Sequence, residues 1–476
     1  MLKIFKKEKK METRREVDPL GEKTVPRQAY YGIQALRAME NFPVSGIKAP
    51  NVFITAYAQV KKAAALANME VGCLDQKIGK AIVQACDEVI SAKLNDAFVV
   101  DVFQAGAGTS FNMNMNEVLA NKALEILGKE KGDYRIINPN DHVNMAQSTN
   151  DTFPTALHLA ILIATQHLIE NLDALACAFD KIGKETLNVI KSGRTHLQDA
   201  VPITIGQEFS AYASALRNAR NQLFERQKGL LAIALGGTAT GTEANTHPRY
   251  REIAVAELKR ISGFPLKVAD NPFEALQSLR PVQAVSSALK ELALELIRIA
   301  NDLRLLSSGP TTGLNEIQLP PVQPGSSIMP GKVNPVMAEC LDMVAFQVVG
   351  NDLTVAMATQ AGQLELNVMT PVIMYNVLFS IQILTNYIPV FTKKCVLGIR
   401  INKERCATYL DNNPSLATFL SPDIGYLEAS KIAKQALEQR HSVKEVALKK
   451  GMKTEDLERI FDPKNLLGNT KLKKKR

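Results

Sequence analysis

The fold is decided by residues 281–306, PVQAVSSALKELALELIRIANDLRLL. Val282, Val285, Leu289, Leu292, Leu296, Ile299, Leu303 and Leu306 follow one another in alternating steps of three and four without a miss. That mean period of about 3.5 residues is the seam of a helix packed nearly parallel to its neighbours. Outward from this stretch, apolar periodicity predicts further long helices over 155–190, 207–232, 336–360 and 371–397. A helix of about 25 residues is about 37 Å long. So many apolar-faced rods predict an all-α chain with a long central helix bundle. Apolar positions crowd residues 156–169, which predicts that the bundle is extended by self-association.

Turn clusters punctuate the rods: Asn138-Pro139-Asn140-Asp141, Gly236-Gly237-Thr238 and Ser307-Ser308-Gly309-Pro310. From Gly309 to Pro330, prolines at 310, 320, 321, 324 and 330 enforce a long non-helical excursion, a feature that in compact domains is usually functional. Beyond about residue 398 the helices shorten, with starts and stops predicting 403–410, 426–439 and 442–450 and a capped start at Thr454. The expected organisation is an N-terminal domain over 1–147, a central bundle domain over 148–398, and a small helical C-terminal domain with a basic tail over 399–476.

The composition, 46% hydrophobic and 22% charged in 476 residues, is that of a globular protein. A net charge of +9 suggests nucleic acid until its placement is read. Residues 1–15 and 464–476 carry +5 and +6, which leaves the body at −2. The basicity therefore belongs to solvated ends, and no nucleic-acid partner is expected. Six cysteines show no C-x-x-C and no metal-ligand spacing, so reduced thiols and no metal site are expected. The N-terminus lacks the apolar region of a signal peptide, and the run Ala156–Ala164 is too short to span a bilayer. A cytoplasmic protein without membrane contact is the expectation.

Within the proline-rich excursion lies Gly325-Ser326-Ser327-Ile328-Met329-Pro330-Gly331-Lys332-Val333-Asn334-Pro335. Five residues separate its first glycine from Gly331-Lys332, and Val333 follows the lysine, so it is no phosphate-binding P-loop. Glycines that free the backbone, two adjacent hydroxyls and a lysine just before a helix start make an anion clamp. Asn334 is the expected helix cap, with Pro335 in the first turn. Three further segments are unusually polar: Gly106-Ala107-Gly108-Thr109-Ser110 followed by Asn112, Asn114 and Asn116; Gln147-Ser148-Thr149-Asn150-Asp151; and Gly193-Arg194-Thr195-His196. On local rules alone the second is a helix-capping box, and an isolated histidine such as His196 is more often structural than catalytic.

Together these segments resemble the fumarase/aspartase superfamily, from Ala29-Tyr30-Tyr31-Gly32 to about residue 460. The variants resemble its ammonia-lyase (aspartase) branch: Gly-Ala-Gly-Thr-Ser at 106–110, Gln-Ser-Thr-Asn at 147–150, and Ala361-Gly362-Gln363-Leu364-Glu365-Leu366-Asn367-Val368-Met369. Asn138 stands where class II fumarases, the alternative reading, usually carry a histidine. One departure is Glu243 in Gly241-Thr242-Glu243-Ala244-Asn245, where relatives have glycine; its added charge bears on substrate preference.

The resemblance implies a three-domain fold whose central helices form a twenty-helix core in a homotetramer, with each site shared by three chains. It implies reversible deamination of L-aspartate to fumarate and ammonia without a cofactor. Ser326 would be the base that takes the C3 proton, giving an aci-carboxylate held by Thr109, Ser148, Thr149 and Ser327. Thr195, Lys332 and Asn334 would hold the α-carboxylate, and Asn150 and His196 would face the α-amino group.

Overall fold

A computed structural model describes residues 12–467. Most of the two basic ends lies outside the described residues. The described chain opens with a hairpin of β1 (Thr13–Asp18) and β2 (Gly21–Pro26). Helices α1 (Ile33–Asn41), α2 (Asn51–Glu70), α3 (Gln76–Ile90) and α4 (Thr109–Ile126) follow, then the first long rod, α5 (Thr149–Glu185). A second hairpin, β3 (Ile190–Thr195) with β4 (Gln198–Thr204), leads into α6 (Ile205–Gln227). Short β5 (Ala232–Ile233) and β6 (Lys267–Val268) pair in parallel around α7 (Tyr250–Ser262). Next come α8 (Pro272–Gln277) and the rods α9 (Arg280–Leu306), α10 (Val336–Gln360) and α11 (Thr370–Lys394). Between α9 and α10 the excursion holds only β7 (Ile317–Gln318), which pairs with β8 (Arg400–Ile401). Shorter helices complete the described chain, among them α12 (Lys403–Asp411), α13 (Ser421–Ile424), α14 (Tyr426–Gln439), α15 (Val443–Lys449) and α16 (Thr454–Ile460).

The mostly helical reading holds, with four two-stranded sheets among the described residues. Every residue of the α9 seam is buried. The rod expected over 155–190 starts earlier, at Thr149, because Pro154 is accommodated inside the helix instead of bounding it. It ends at Glu185, because Ile190, read as a helical position, opens β3. Helix α16 starts at Thr454 without a side-chain cap.

The chain divides into two compact units. The first comprises residues up to Leu168, Gln222–Glu291 and Gln347–Ile383; the second comprises Ile169–Asn221, Leu292–Phe346 and the chain from Leu384 onward. The first unit is centred on Phe53, Tyr57, Phe111 and Phe153, whose ring centroids lie 4.8 to 6.5 Å apart. Such edge and tilted contacts add to plain area burial. Gly108 turns against this cluster at φ +92°, and a Cβ there would stand 2.2 Å from the Phe153 ring. Only glycine starts α4 in this way. In the second unit Phe179, Phe209 and Tyr212 form a similar cluster.

Three helices, α5, α10 and the segment Thr370–Gly398, are long and apolar enough to cross a membrane by length and composition. This corrects the expectation drawn from Ala156–Ala164 alone. In α5 the interspersed threonines are small, and their hydroxyls are satisfied one turn back: Thr155 donates to Asp151 O and Thr165 to Ile161 O. The apolar window of α5 is 72% buried within the protein.

Candidate active site

In the first unit, the starts of α4 and α5 converge on a cavity of about 470 Å³ lined by Thr109, Asn112, Asn144, Ser148, Thr149 and Thr238, among others. The lining side chains are hydroxyls, amides, alanines and one methionine, Met113, with no ionisable side chain among them. Thr109 is the first residue of α4, and its hydroxyl donates to Gly106 O at 2.6 Å. Ser148 sits just before α5: its Oγ accepts from Asn150 N at 3.2 Å, while its own N–H donates to Asp151 Oδ1 at 3.0 Å. The segment is therefore a capping box as well as a cavity wall, since both uses draw on the same helix N-terminus. Asn150 donates from Nδ2 to Ala239 O at 2.8 Å, which ties it to the 238–245 loop.

Buried charge underlies this wall. Asp151 Oδ2 accepts the backbone N–H groups of Gly236 and Thr238, each at 3.0 Å. Burial raises its carboxyl to about 7, opposed by these donors and by the charge of Lys61. Lys61, fully buried in α2, donates to Asn144 Oδ1 at 3.0 Å and to Gln147 Oε1 at 2.9 Å. Burial lowers its ammonium to about 7, opposed by the charge of Asp151. Thr238 holds φ +58°, which a β-branched residue rarely adopts, and its buried hydroxyl has no protein partner. Strain of this kind concentrates at functional sites.

In the second unit, Thr195 and His196 stand at the tip of the β3–β4 hairpin. Thr195 pairs with Gln198, so His196 and Leu197 are the two loop residues, at φ +55° and +59°. Two successive left-handed residues match the right-handed twist of the strands and present both side chains to solvent. The hairpin is anchored by ion pairs. Glu316, fully buried beside β7, bonds Lys191 at 2.8 Å and Arg194 at 2.9 Å, and Lys191 also reaches Glu208 at 3.0 Å. Glu316 thus ties the strand that ends at Thr195 to the start of β7, in the proline-rich excursion between α9 and α10.

That loop closes at its base. A Cβ on Gly325 would stand 2.0 Å from Lys332 O, so glycine is required for the two backbone strands to meet. Asn334 donates from Nδ2 to Gly325 O at 2.8 Å. This corrects its reading as a helix cap: the side chain clasps the loop, and the first α10 turn is accepted by Pro335 O from Ala338 N and Glu339 N. Ser326 Oγ accepts from Met329 N at 3.0 Å and from Ile328 N at 3.3 Å. Two N–H groups converging on one hydroxyl oxygen stabilise negative charge there. Ser327 and Lys332 are exposed. None of these second-unit residues lines the first-unit cavity.

The family model described as "Lyase" matches residues 21–350, and that described as "Fumarase C C-terminus" matches residues 416–468. An aspartate ammonia-lyase of Bacillus sp is 50% identical over 95% of this chain and 97% of its own length. The chain belongs to the aspartate ammonia-lyase family. The Escherichia coli K12 member is 46% identical over 95% of each chain. Among solved structures, a fumarate lyase/delta crystallin from Brucella melitensis bound to cobalt superposes with a TM-score of 0.92 at 51% identity, covering 94% of this chain and 98% of that one. A class II fumarase from Schistosoma mansoni also reaches 0.92, at 37% identity over 95% and 98%. The 46 to 50% identity to these ammonia-lyases, against 37% to the class II fumarase, agrees with the variants at 106–110 and 147–150.

For a member of this family, the sequence reading missed Lys61 and Asn144 and gave Asp151 no role beyond its place in the polar 147–151 segment; Asn144 lines the cavity, and Lys61 and Asp151 support its wall from beneath. Lys61 had a signal: it sits among Tyr57, Ala58, Ala64 and Ala65 at helical spacing, so a lysine falls on an apolar face. Glu243 does not add free charge to the site, because its carboxylate bonds Arg251 at 2.9 Å. Among the described residues no group of three or more His, Cys, Asp or Glu side chains is arranged to hold a metal ion.

Proposed function

We propose that this chain catalyses the reversible deamination of L-aspartate to fumarate and ammonia. The observation that carries the reading is 50% identity to an aspartate ammonia-lyase over nearly the full length of both chains. Ser326 is the base. Its Oγ, held by two N–H donors, takes the C3 proton, and the electron pair moves into the β-carboxyl group as an aci-carboxylate. Collapse of that intermediate forms the C2=C3 double bond and expels the α-amino group as ammonia. Thr109, Ser148, Thr149 and Ser327 bind the β-carboxylate, where many neutral donors share the added charge. Thr195, Lys332 and Asn334 hold the α-carboxylate, and Asn150 and His196 orient the ammonium, already a competent leaving group. Hydroxyls and amides around the first-unit cavity, with no opposing carboxylate in its lining, support the carboxylate assignment.

The two residue groups complete one another across the subunits of a soluble, cytoplasmic homotetramer, each site drawing on three chains. The glycine-bounded 325–331 segment closes over substrate and excludes water.

Ultraviolet absorbance of fumarate tests the activity. Aspartate is expected to give a strong signal and L-malate a negligible one; the reverse result replaces deamination by hydration chemistry. Ser326→Ala is expected to lower kcat at least about a hundredfold, the usual contribution of a positioned base. Full turnover in that variant would place the base elsewhere.

A further inference from the structure

The hydrogen bonds beneath the first-unit cavity have a direction that the backbone fixes. Gln147 Nε2 donates to the carbonyls of Val143 at 3.0 Å and Met145 at 3.1 Å, and Asn144 Nδ2 donates to Gln147 O at 3.1 Å. Carbonyls only accept, so both amide oxygens turn the other way, onto Lys61 Nζ. Asn144 Oδ1 also faces Asn112 at 3.2 Å and Asn116 at 3.1 Å. With an oxygen at that point, both neighbours must present Nδ2. Asn112 is 2% exposed, and its Oδ1 accepts from the Tyr57 hydroxyl at 3.1 Å. Its Nδ2 donates a second time, to Thr149 Oγ1 at 2.9 Å. The Thr149 oxygen is thereby an acceptor, and its own proton is left for a partner in the cavity that both residues line.

We propose that Asn112 is a positioning residue for substrate binding: backed by Asn144 and Lys61, it commits the Thr149 hydroxyl to donate into the cavity. The inference rests on the reading above, in which Thr149 binds the β-carboxylate. A carboxylate only accepts, and a hydroxyl oriented in advance needs no reorientation as the second negative charge develops. A hydroxyl without this partner would spread its proton over several directions. Lys61 acts at one remove: it holds both amide oxygens in place and is the donor to Gln147 Oε1, whereas Asn144 Oδ1 also accepts from Asn112 and Asn116.

A double-mutant cycle tests the relay, read by kcat/KM for aspartate and by calorimetric binding of succinate, a dicarboxylate that cannot eliminate. Thr149→Val and Asn112→Leu are each expected to weaken succinate binding and kcat/KM about tenfold, the scale of one charge-assisted hydrogen bond. Because Asn112 acts through Thr149, the double variant is expected within about twofold of Thr149→Val alone. Thr149→Ser, which keeps the hydroxyl, is expected to recover most of the succinate affinity that Thr149→Val loses. Fully additive losses would overturn the inference, since a packing role predicts them. If Asn112→Leu does not fold, Asn112→Asp keeps the shape and turns the donor into an acceptor. It is expected to lose at least as much as Thr149→Val, and unchanged succinate binding in it overturns the relay. Succinate binding by a protein that forms no fumarate from aspartate would sink the proposed activity while leaving the relay to be judged by the binding cycle.

Discussion

His158 shows how one residue couples the rods to solution conditions. It lies in α5, 7% exposed, with Nδ1 at 3.1 Å from Leu230 O. Burial drives its pKa from 6.5 down to about 4, against the pull of the backbone carbonyls. The unfolded chain therefore takes up a proton near 6.5 that the folded chain refuses until about 4. The stability from keeping this imidazole neutral is complete above about pH 6.5 and is lost as the pH falls toward 4. The term amounts to about 3 kcal/mol. Thermal unfolding from pH 7.5 to 4.5, compared with a His158→Gln variant, is expected to show the unaltered protein losing that much more on acidification. Parallel curves would show that His158 is not the group responsible. At this scale the sequence was only partly legible. Thr109, Ser148 and Thr149 stood out as unusually polar, but local rules read the 147–151 segment as a helix cap, and only the family resemblance gave these residues a substrate role. Asn112 was visible as a polar residue, but its role is a bond direction, which depends on Lys61 and Asn144 from distant segments and leaves no local pattern.

Among the elements, the α9 seam was fully legible because one period satisfied one buried face. The 325–335 loop was legible in composition but not in closure. Its glycines predicted backbone freedom, whereas what Gly325 supplies is the absence of a side chain, with Lys332 O only 2.0 Å from the position of a Cβ. Asn334 was misread for a related reason: a cap and a loop clasp use the same residue type, and only the path of the backbone distinguishes them. The geometry makes a sharp prediction. Gly325→Ala must push the two strands of the loop base apart, shifting Ser326 and Lys332 together. A misplacement of about 1 Å is enough to cost about a hundredfold in rate. The expected result is a fall in kcat/KM of about that size with little change in melting temperature, because the loop carries no core residue. Retention of turnover would mean that the closed base is not the working conformation.

On the scale of the whole molecule, α10 repeats the period of α9 on a face that is exposed in the single chain. Met343, Phe346, Gly350, Leu353 and Met357 also step by three and four, yet the four large side chains are 58 to 67% exposed. Nothing lies within 4 Å of a Cβ built on Gly350, which leaves room for a close approach. A seam of this period has no stable use facing water. The body of the chain is nearly neutral, at −2 between its basic ends, so copies do not repel strongly. In the proposed tetramer a second copy of the same helix would supply the complementary period. Leu353→Glu places a carboxylate in the middle of that seam, where burial without a partner costs several kcal/mol. Light scattering of the unaltered protein is expected to give a mass near four chains. The variant is expected to fall to smaller species with native helix content and to lose fumarate formation, because its sites no longer receive residues from neighbouring chains. A variant that stays folded as a monomer and still deaminates aspartate at the full rate would refute the shared site. A variant that remains tetrameric would move the interface away from α10.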